Sequence, residues 1–389
     1  MSVITGLAEL RENPTIVDQY ERLGLLYNQA SIDTDFRESC EVLHGVLGDR
    51  LTTLFGPQHG VGSTEQDNMI ETGHFLHRTL GLPVYSLYSS SRRPSSEMLD
   101  NVDAVLVDIQ DVGARVYTFC ATVALLMEEC AAQGKPVIIL DRPNPINGTS
   151  VEGNVLDPEF SSFVGPYPLP MRHGMTVAEL MSYYNAEFQI NCELIIVKMK
   201  GWDRTFYFED TGLPWAFPSP NMPTVETAIV YPGQVLLEGT NLSEGRGTTR
   251  PFEIFGTPFL NPEKIVTDID PRCLAGVCLR PIQFRPVFNK WSGGSCLGFQ
   301  IHVTDRNLYH PYRTTLAILS AIIKNSPDNF QWSEPPYEYV RDKLPIDVIL
   351  GDPEVRKSLE RGDSVFVMEE MWKNGLENFL KIRRDFLIY

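Results

Sequence analysis

The order of apolar and polar positions along the chain predicts alternating strands and helices. Short apolar runs rich in β-branched residues are typical of buried strands, and they cover residues 22–28, 51–56, 83–88, 104–111, 136–143 and 193–199. Apolar positions recur at helical spacing over residues 35–48, 117–134 and 175–188, where Thr176 and Glu179 have the spacing of a capping box. This alternation predicts a parallel sheet with right-handed crossovers.

The second part of the chain has a different pattern. Proline and glycine are frequent from residue 211 to 258, and aromatic residues are interleaved with them. This composition predicts a long, rigid, loop-rich region and not a flexible linker. Beyond it, a strand over 296–305 and helices over 311–325 and 365–386 predict a smaller α/β segment.

Composition and charge exclude several classes of partner. The 389 residues are 43% hydrophobic, which is enough for two separate cores, and the formal net charge of −17 argues against nucleic acid or an anionic membrane as the partner. The N-terminus lacks the pattern of a secretory signal, and no apolar window is long enough to span a membrane. The seven cysteines are scattered and never form a CxxC pair, so we predict reduced, buried thiols in a cytoplasmic protein.

Polar residues follow three of the predicted strands. Ligands of parallel sheets bind at the carboxyl ends of the strands, because the loops converge there. The residues at these ends are Gln58 and His59; Asp108, Gln110, Asp111 and Arg115; and Asp141, Arg142 and Asn144. We therefore predict one site at this edge. Structural roles stay open for the individual members: Asp108 and Asp111 as helix caps, Asp141 with Arg142 as an ion pair, and His59 as the partner of a backbone carbonyl.

The segment "EGTNLSEGRGTTR" (238–250) contains a second group of candidates. It lacks the residue order of a phosphate-binding P-loop. Arg246 and Arg250 match the geometry of a carboxylate, whereas Glu238 and Glu244 are either further acidic groups of the site or the partners of these arginines. His59, His173 and Asp108 lack the spacing of a metal site, and no GxSxG nucleophile motif is present, so we predict neither.

The blocks "LFGPQHG", "VDIQDVGARVYT", "ILDRPNPINGTSVEG", "SSFVGPYPLPMRHGMTVAEL", "LPWAFPSPNMPT" and "YPGQVLLEGTNLSEGRGTTRPFE" closely resemble the exo-β-N-acetylmuramidase family. These bacterial glycoside hydrolases act on peptidoglycan amino sugars. The resemblance runs from about residue 20 to the C-terminal "FLIY". It implies a Rossmann-like parallel sheet domain (1–235), a smaller C-terminal α/β domain (236–389) and a cleft between them. It also implies removal of N-acetylmuramic acid from the non-reducing end of peptidoglycan fragments, without a cofactor.

One position departs from the family pattern. Where the family usually has Gly-Pro-Glu-His-Gly, with the Glu as its proposed catalytic carboxylate, this chain has Gln58. An amide cannot exchange a proton near neutral pH. Three explanations stay open: Glu65 supplies the acid while Gln58 orients a water or the acetamido group of the substrate; the chain processes another glycoside; or it is an inactive carbohydrate-binding protein.

The working hypothesis is a cytoplasmic glycosidase that acts on a small, anionic amino-sugar substrate. Glu65 is the predicted acid, assisted by Asp108 or Asp111, and Gln58, His59 and Gln110 orient water and hydroxyls. Arg246 and Arg250 are predicted to read a carboxylate such as the lactyl group of muramic acid. The remaining predicted substrate contacts are Arg115, Asp141, Arg142, Asn144, His173, Asn221, Glu238, Asn241 and Glu244. The sequence leaves a homodimer open, and it does not decide between retention and inversion.

Overall fold

The computed structural model describes residues 2–66 and 69–389. Within these residues the strands are β1 Leu23–Tyr27, β2 Leu51–Gly56, β3 Phe75–Leu76, β4 Pro83–Ser86, β5 Ala104–Asp108, β6 Val137–Leu140, β7 Glu152–Val155, β8 Pro170–Arg172, β9 Leu194–Val197, β10 Ile254–Thr257, β11 Val277–Phe284 and β12 Cys296–Val303. The helices are α1 Gly6–Glu12, α2 Ser39–Leu47, α3 Ser96–Leu99, α4 Phe119–Ala132, α5 Val177–Glu187, α6 Val225–Gln234, α7 Pro262–Asp268, α8 Pro311–Asn325, α9 Pro345–Leu350, α10 Pro353–Arg361 and α11 Val365–Arg383.

The first part of the chain forms a seven-stranded sheet in the order β3-β4-β2-β1-β5-β6-β9. All neighbouring strands pair in parallel except the short edge strand β3, which is antiparallel to β4. Without β3, the order of the strands along the sheet is that of a doubly wound Rossmann-like fold. The predicted parallel sheet is therefore confirmed.

Both faces of this sheet are covered, as the continuous apolar runs of its strands require. Alternate residues of a strand point to opposite faces. In β5, Val105 and Val107 belong to the core on the side of α4, whereas Ala104 and Leu106 belong to the core that includes residues of α1 and α2. The helix α5 begins with the predicted capping box, in which Thr176 and Glu179 exchange hydrogen bonds.

The second part contains a three-stranded antiparallel sheet in the order β10-β12-β11, together with the buried helix α8. This is the predicted smaller α/β unit, and α8 has the predicted bounds. The region 211–258 differs from the expectation of loops, because it contains α6 and β10. The Pro232-Gly233 pair that suggested a loop lies in the last turn of α6. A Cβ at Gly233 would lie 2.0 Å from the carbonyl oxygen of Pro311, so the glycine allows α6 to contact the start of α8.

The predictions for membrane spans and cysteines can also be compared with the structure. In the ranges that the structure describes, no helix is both long enough and apolar enough to cross a bilayer. All seven cysteines are free thiols. Six are buried, as predicted, but Cys278 is exposed because it lies on an outward-facing position of β11.

Candidate active site

A small pocket with a cavity volume of about 40 Å³ lies between the first and second parts of the chain. The first part contributes residues after β2 and the segment that leads into α4, and the second part contributes the residues that cover them. The lining residues include Gln58, His59, Tyr117, Thr118, Ser219, Asn221, Tyr231, Glu238, Arg246, Tyr337 and Glu338.

Gln58 lies at the carboxyl end of β2, where the sequence predicted it, and it is buried. Thr118, the N-cap residue of α4, donates a hydrogen bond from its hydroxyl to Gln58 Oε1 at 2.6 Å. The amide nitrogen of Gln58 therefore faces the other way and donates to Glu338 Oε1 at 3.2 Å. Gln58 thus links the first part of the chain to a carboxyl group of the second part.

His59 is held in one tautomer. Its backbone has a positive φ of 71°, which is unusual for a residue other than glycine. Its Nδ1 lies 2.6 Å from the carbonyl oxygen of Glu65, so Nδ1 must carry the proton and donate it. Burial and, to a smaller extent, the positive charge of Arg246 lower the pKa of His59 to about 4, although the hydrogen bond to Glu65 offsets part of this effect. The neutral ring therefore offers Nε2 as a hydrogen-bond acceptor, which suits a sugar hydroxyl.

Arg246 is the centre of a buried cluster of charges. Its Nη2 lies 2.7 Å from Glu238 Oε1, and its Nε lies 3.2 Å from Glu244 Oε1. Tyr337 donates its hydroxyl proton to Glu238 Oε2 at 2.7 Å, and Lys290 Nζ lies 2.9 Å from Glu244 Oε2. The positive charge of Arg246 is therefore compensated by the protein, which differs from the prediction that it would clamp a carboxylate of the substrate.

Two glycines place Arg246 in this position. Gly245 and Gly247 both have positive φ values, 81° and 77°. A Cβ would lie 2.4 Å from the carbonyl oxygen of Ile254 at the first and 2.6 Å from that of Phe288 at the second. The "EGRG" motif that resembles a phosphate cradle therefore serves to bring the backbone close to two neighbouring segments and to turn the arginine inward.

Sequence reasoning missed Glu338, which belongs to this pocket. Its carboxylate accepts hydrogen bonds from Gln58 and from the hydroxyl of Tyr88, the latter at 2.7 Å. The segment "PPYEYV" contains only one weak signal, which is a glutamate between two tyrosines in an otherwise polar, proline-rich loop. The pocket therefore holds two carboxyl groups, Glu238 and Glu338, together with a neutral histidine and several amide and hydroxyl groups. Such a set can transfer protons and bind sugar hydroxyls.

Asp108 and Arg142 do not reach this pocket, which corrects the prediction of a shared site. Asp108 is fully buried and forms a double hydrogen bond with Arg142, at 2.5 and 2.8 Å. Arg142 also donates to the carbonyl oxygen of Ile32. Arg142 and Gln110 line a different cavity of about 40 Å³, which is also lined by Val3 and by part of the segment 208–216.

The other residues of these strand ends hold the backbone in place. Asp111 accepts a hydrogen bond from the N–H of Gly113 and lies 3.7 Å from His173. Asp141 accepts from the N–H of Ala178 in the first turn of α5 and from the hydroxyl of Tyr389; burial raises its pKa to about 7. Asn144 donates to the carbonyl oxygen of Met175 and accepts from the N–H of Ile146. Arg115 donates to the carbonyl oxygens of Ile349 and Leu350.

Three further candidates lie away from the pocket. Glu65 lines a separate, open depression beside Gly60 and Glu71, and only its backbone oxygen contacts His59. Arg250 is half-exposed and pairs with Glu253, whereas Asn241 donates to the carbonyl oxygen of Asn329. The prediction of Glu65 as the acid is therefore not supported by its position. Asn221 does line the pocket, and its amide donates to the carbonyl oxygen of Gln66.

Glu38, Cys40 and His77 are the one group of potential metal ligands found among the described residues, with ligand atoms within 4.8 Å of one another. The N–H of Leu80 donates to His77 Nδ1, so the neutral ring carries its proton on Nε2, the atom that lies 3.8 Å from Cys40 Sγ. Burial raises the pKa of Cys40 to about 12. In this tautomer of His77, Nε2 therefore offers no lone pair to a metal ion.

Comparison with known proteins identifies the family. The family model described as "Exo-beta-N-acetylmuramidase NamZ, N-terminal" matches residues 23–226, and the model of the C-terminal part matches residues 229–389. The chain is 42% identical over 369 residues to the peptidoglycan beta-N-acetylmuramidase NamZ of Bacillus subtilis (strain 168), which covers 95% of this chain and 87% of that protein.

Two solved structures of DUF1343 family proteins from Bacteroides fragilis NCTC 9343 have the same fold. One has a TM-score of 0.88 at 30% sequence identity and the other 0.77 at 26%; each comparison covers 100% of this chain and 99% of the other. The resemblance that the sequence motifs indicated is confirmed. This chain belongs to the exo-β-N-acetylmuramidase NamZ family.

Proposed function

We propose that this protein is an exo-β-N-acetylmuramidase that hydrolyses the glycosidic bond of a terminal N-acetylmuramic acid in peptidoglycan fragments. Similarity to a peptidoglycan beta-N-acetylmuramidase over 95% of the chain is the observation that carries the proposal. The pocket supports it, because carboxyl groups for proton transfer lie beside hydroxyl, amide and imidazole groups that suit a sugar.

The finer predictions about the substrate and the location are part of this proposal. An anionic substrate would place its carboxylate outside the Arg246 cluster, whose charge Glu238 and Glu244 already compensate. Asn221 lines the pocket and offers an amide in its place. A cytoplasmic location and a homodimer remain predictions from the sequence, and fractionation and sedimentation analysis test them.

The experiment is the incubation of the purified protein with 4-nitrophenyl β-N-acetylmuramide and with a disaccharide that has N-acetylmuramic acid at its non-reducing end. We expect release of nitrophenol from the first and of free N-acetylmuramic acid from the second. The matched N-acetylglucosaminide, which lacks the lactyl group, is the control for substrate recognition. Hydrolysis of neither muramic glycoside would contradict the proposal.

The second candidate function is binding of the same sugar without turnover. The observation that favours it is Gln58, an amide at a strand end where proton transfer would require a carboxyl group. Calorimetric titration with the muramic disaccharide separates the two functions. Binding without any product after prolonged incubation would favour the binding protein.

A further inference from the structure

Glu338 lies at the tip of a tight turn with an unfavourable backbone conformation. Tyr337 and Val340 exchange two backbone hydrogen bonds, at 3.0 and 2.9 Å, and close the turn. The two residues between them, Glu338 and Tyr339, have positive φ values of 42° and 69°. Such turns favour asparagine and glycine, and each other residue in this region costs about 1 kcal/mol or more. Backbone strain of this kind is concentrated at functional sites.

The protein holds the carboxyl group of Glu338 in one orientation. Gln58 contacts one oxygen and Tyr88 contacts the other, and both donors come from the first part of the chain. The guanidinium group of Arg92 lies 4.2 Å from the ring centre of Tyr88 and 4.0 Å from that of Tyr339. These contacts fix the turn against the segment that follows β4.

The electrostatic environment favours the protonated form of this carboxyl group. Burial raises the pKa of Glu338 above its ordinary value, and the negative charge of Glu238 adds to this effect. The hydrogen bonds from Tyr88 and Gln58 and the positive charge of Arg92 offset part of it. No lysine or arginine nitrogen among the described residues lies within 4.0 Å of the carboxylate. Glu238, in contrast, is an ion-pair partner of Arg246.

We propose that Glu338 is the proton donor of the glycosidase, and that Gln58 and Tyr88 are positioning residues that aim its carboxyl group into the pocket. The inference rests on the proposed function. In the first step, the carboxylic acid gives its proton to the glycosidic oxygen, and the electron pair of the breaking C1–O bond stays on that oxygen. In the second step, a water oxygen bonds to C1, and the carboxylate of Glu338 accepts a proton from that water, which restores the acid.

This assignment explains how the pocket functions with an amide at position 58. Gln58 cannot transfer a proton, but its orientation is fixed by Thr118, and its N–H group holds Glu338. A carboxylate in its place would put a second negative charge in contact with Glu338. Because the amide of Gln58 carries no charge, Glu338 is the only ionisable group of this contact.

The test compares two leaving groups in the Glu338→Gln variant. A sugar leaving group needs protonation, so we expect kcat on the muramic disaccharide to fall by about 10²- to 10⁴-fold. Nitrophenol is a much better leaving group, so we expect kcat on the nitrophenyl glycoside to fall by about tenfold or less. An equal fall on both substrates, or an unchanged rate on the disaccharide, would overturn the assignment. A wild-type protein that cleaves neither substrate would instead contradict the proposed function.

The matched control is Glu334→Gln, the same change at an exposed glutamate four residues before Glu338, which we expect to leave both rates within about twofold of wild type. A control variant that reproduces the leaving-group effect would also overturn the assignment. Tyr88→Phe provides a second test if Glu338→Gln does not fold. Removing this donor raises the pKa of Glu338, so the alkaline limb of the kcat/KM profile should move to higher pH. An unmoved limb, or a shift to lower pH, would contradict the role of Glu338.

Discussion

Replacing Gln58 by glutamate gives a quantitative test of the contact between position 58 and Glu338. The two side chains meet at 3.2 Å, so two carboxylates at this distance would repel each other by about 5 kcal/mol at an effective dielectric constant of about 20. This energy corresponds to between about three and four pKa units. The folded variant should therefore keep one proton on the pair at pH values where the unfolded chain has lost it.

The sign of the effect on stability follows from proton linkage. One carboxyl group of the folded pair has a raised pKa, so the variant loses stability relative to wild type as the pH rises from about 4 to about 8. We expect the free energy of unfolding to be lower than that of wild type by about 1 kcal/mol at pH 5 and by about 4 to 5 kcal/mol at pH 8. Urea unfolding followed by tryptophan fluorescence measures this difference at each pH.

The control is the double variant Gln58→Glu/Glu338→Gln, which has one carboxyl group at this contact. Its stability difference from wild type should not grow over the same pH range. If the difference of the single variant also stays constant between pH 5 and pH 8, the two side chains do not meet as described. Activity gives a separate readout: because Glu338 supplies the proton in our proposal, Gln58→Glu should not raise kcat on the muramic disaccharide.

Three further substitutions test the packing around the site. Arg246→Met leaves its two glutamate partners buried and without this cation, so it should lower the free energy of unfolding by about 3 to 5 kcal/mol in a urea titration. The control Arg250→Met removes a half-exposed ion pair and should lower it by about 1 kcal/mol or less. Gly247→Ala should lower the melting temperature more than Gly293→Ala. Both glycines have positive φ values, but only at Gly247 would a Cβ lie 2.6 Å from a backbone oxygen. Equal shifts in melting temperature would contradict this reasoning. Asp108→Asn breaks a buried ion pair and should cost about 3 kcal/mol or more in stability, with equal effects on the hydrolysis of nitrophenyl and sugar leaving groups; a selective effect on the sugar would assign Asp108 to the chemistry instead.

Sequence patterns predicted most of the strands and helices, because the periodicity of a strand or helix depends only on residues close together in the sequence. The continuous apolar runs of β1 and β5 and the helical periodicity of α8 correspond to buried strands and a helix with nearly the predicted bounds. Helix α6 was missed because proline and glycine normally end helices, whereas here Gly233 is required by contact with Pro311, which lies far away in the sequence. Such a contact has no local signal.

The site was predicted only in part for the same reason. The strand-end rule predicted Gln58 and His59, which line the pocket, but it does not distinguish a polar group that lines a pocket from one that satisfies buried backbone. Asp108 and Asp141 are of the second kind, since an arginine and a helix N-terminus respectively occupy their oxygens. Glu338 joins the pocket through the docking of a turn that is 280 residues distant from Gln58. Periodicity and motif spacing do not encode that docking.

The bonds that fix the Glu338 carboxyl also join the two parts of the molecule. Both of its hydrogen-bond donors belong to the first part of the chain, whereas the turn that carries it belongs to the second part. A displacement of one part against the other by less than about 1 Å would therefore misalign the proposed acid. Turnover in this enzyme should accordingly report the fit between its two parts.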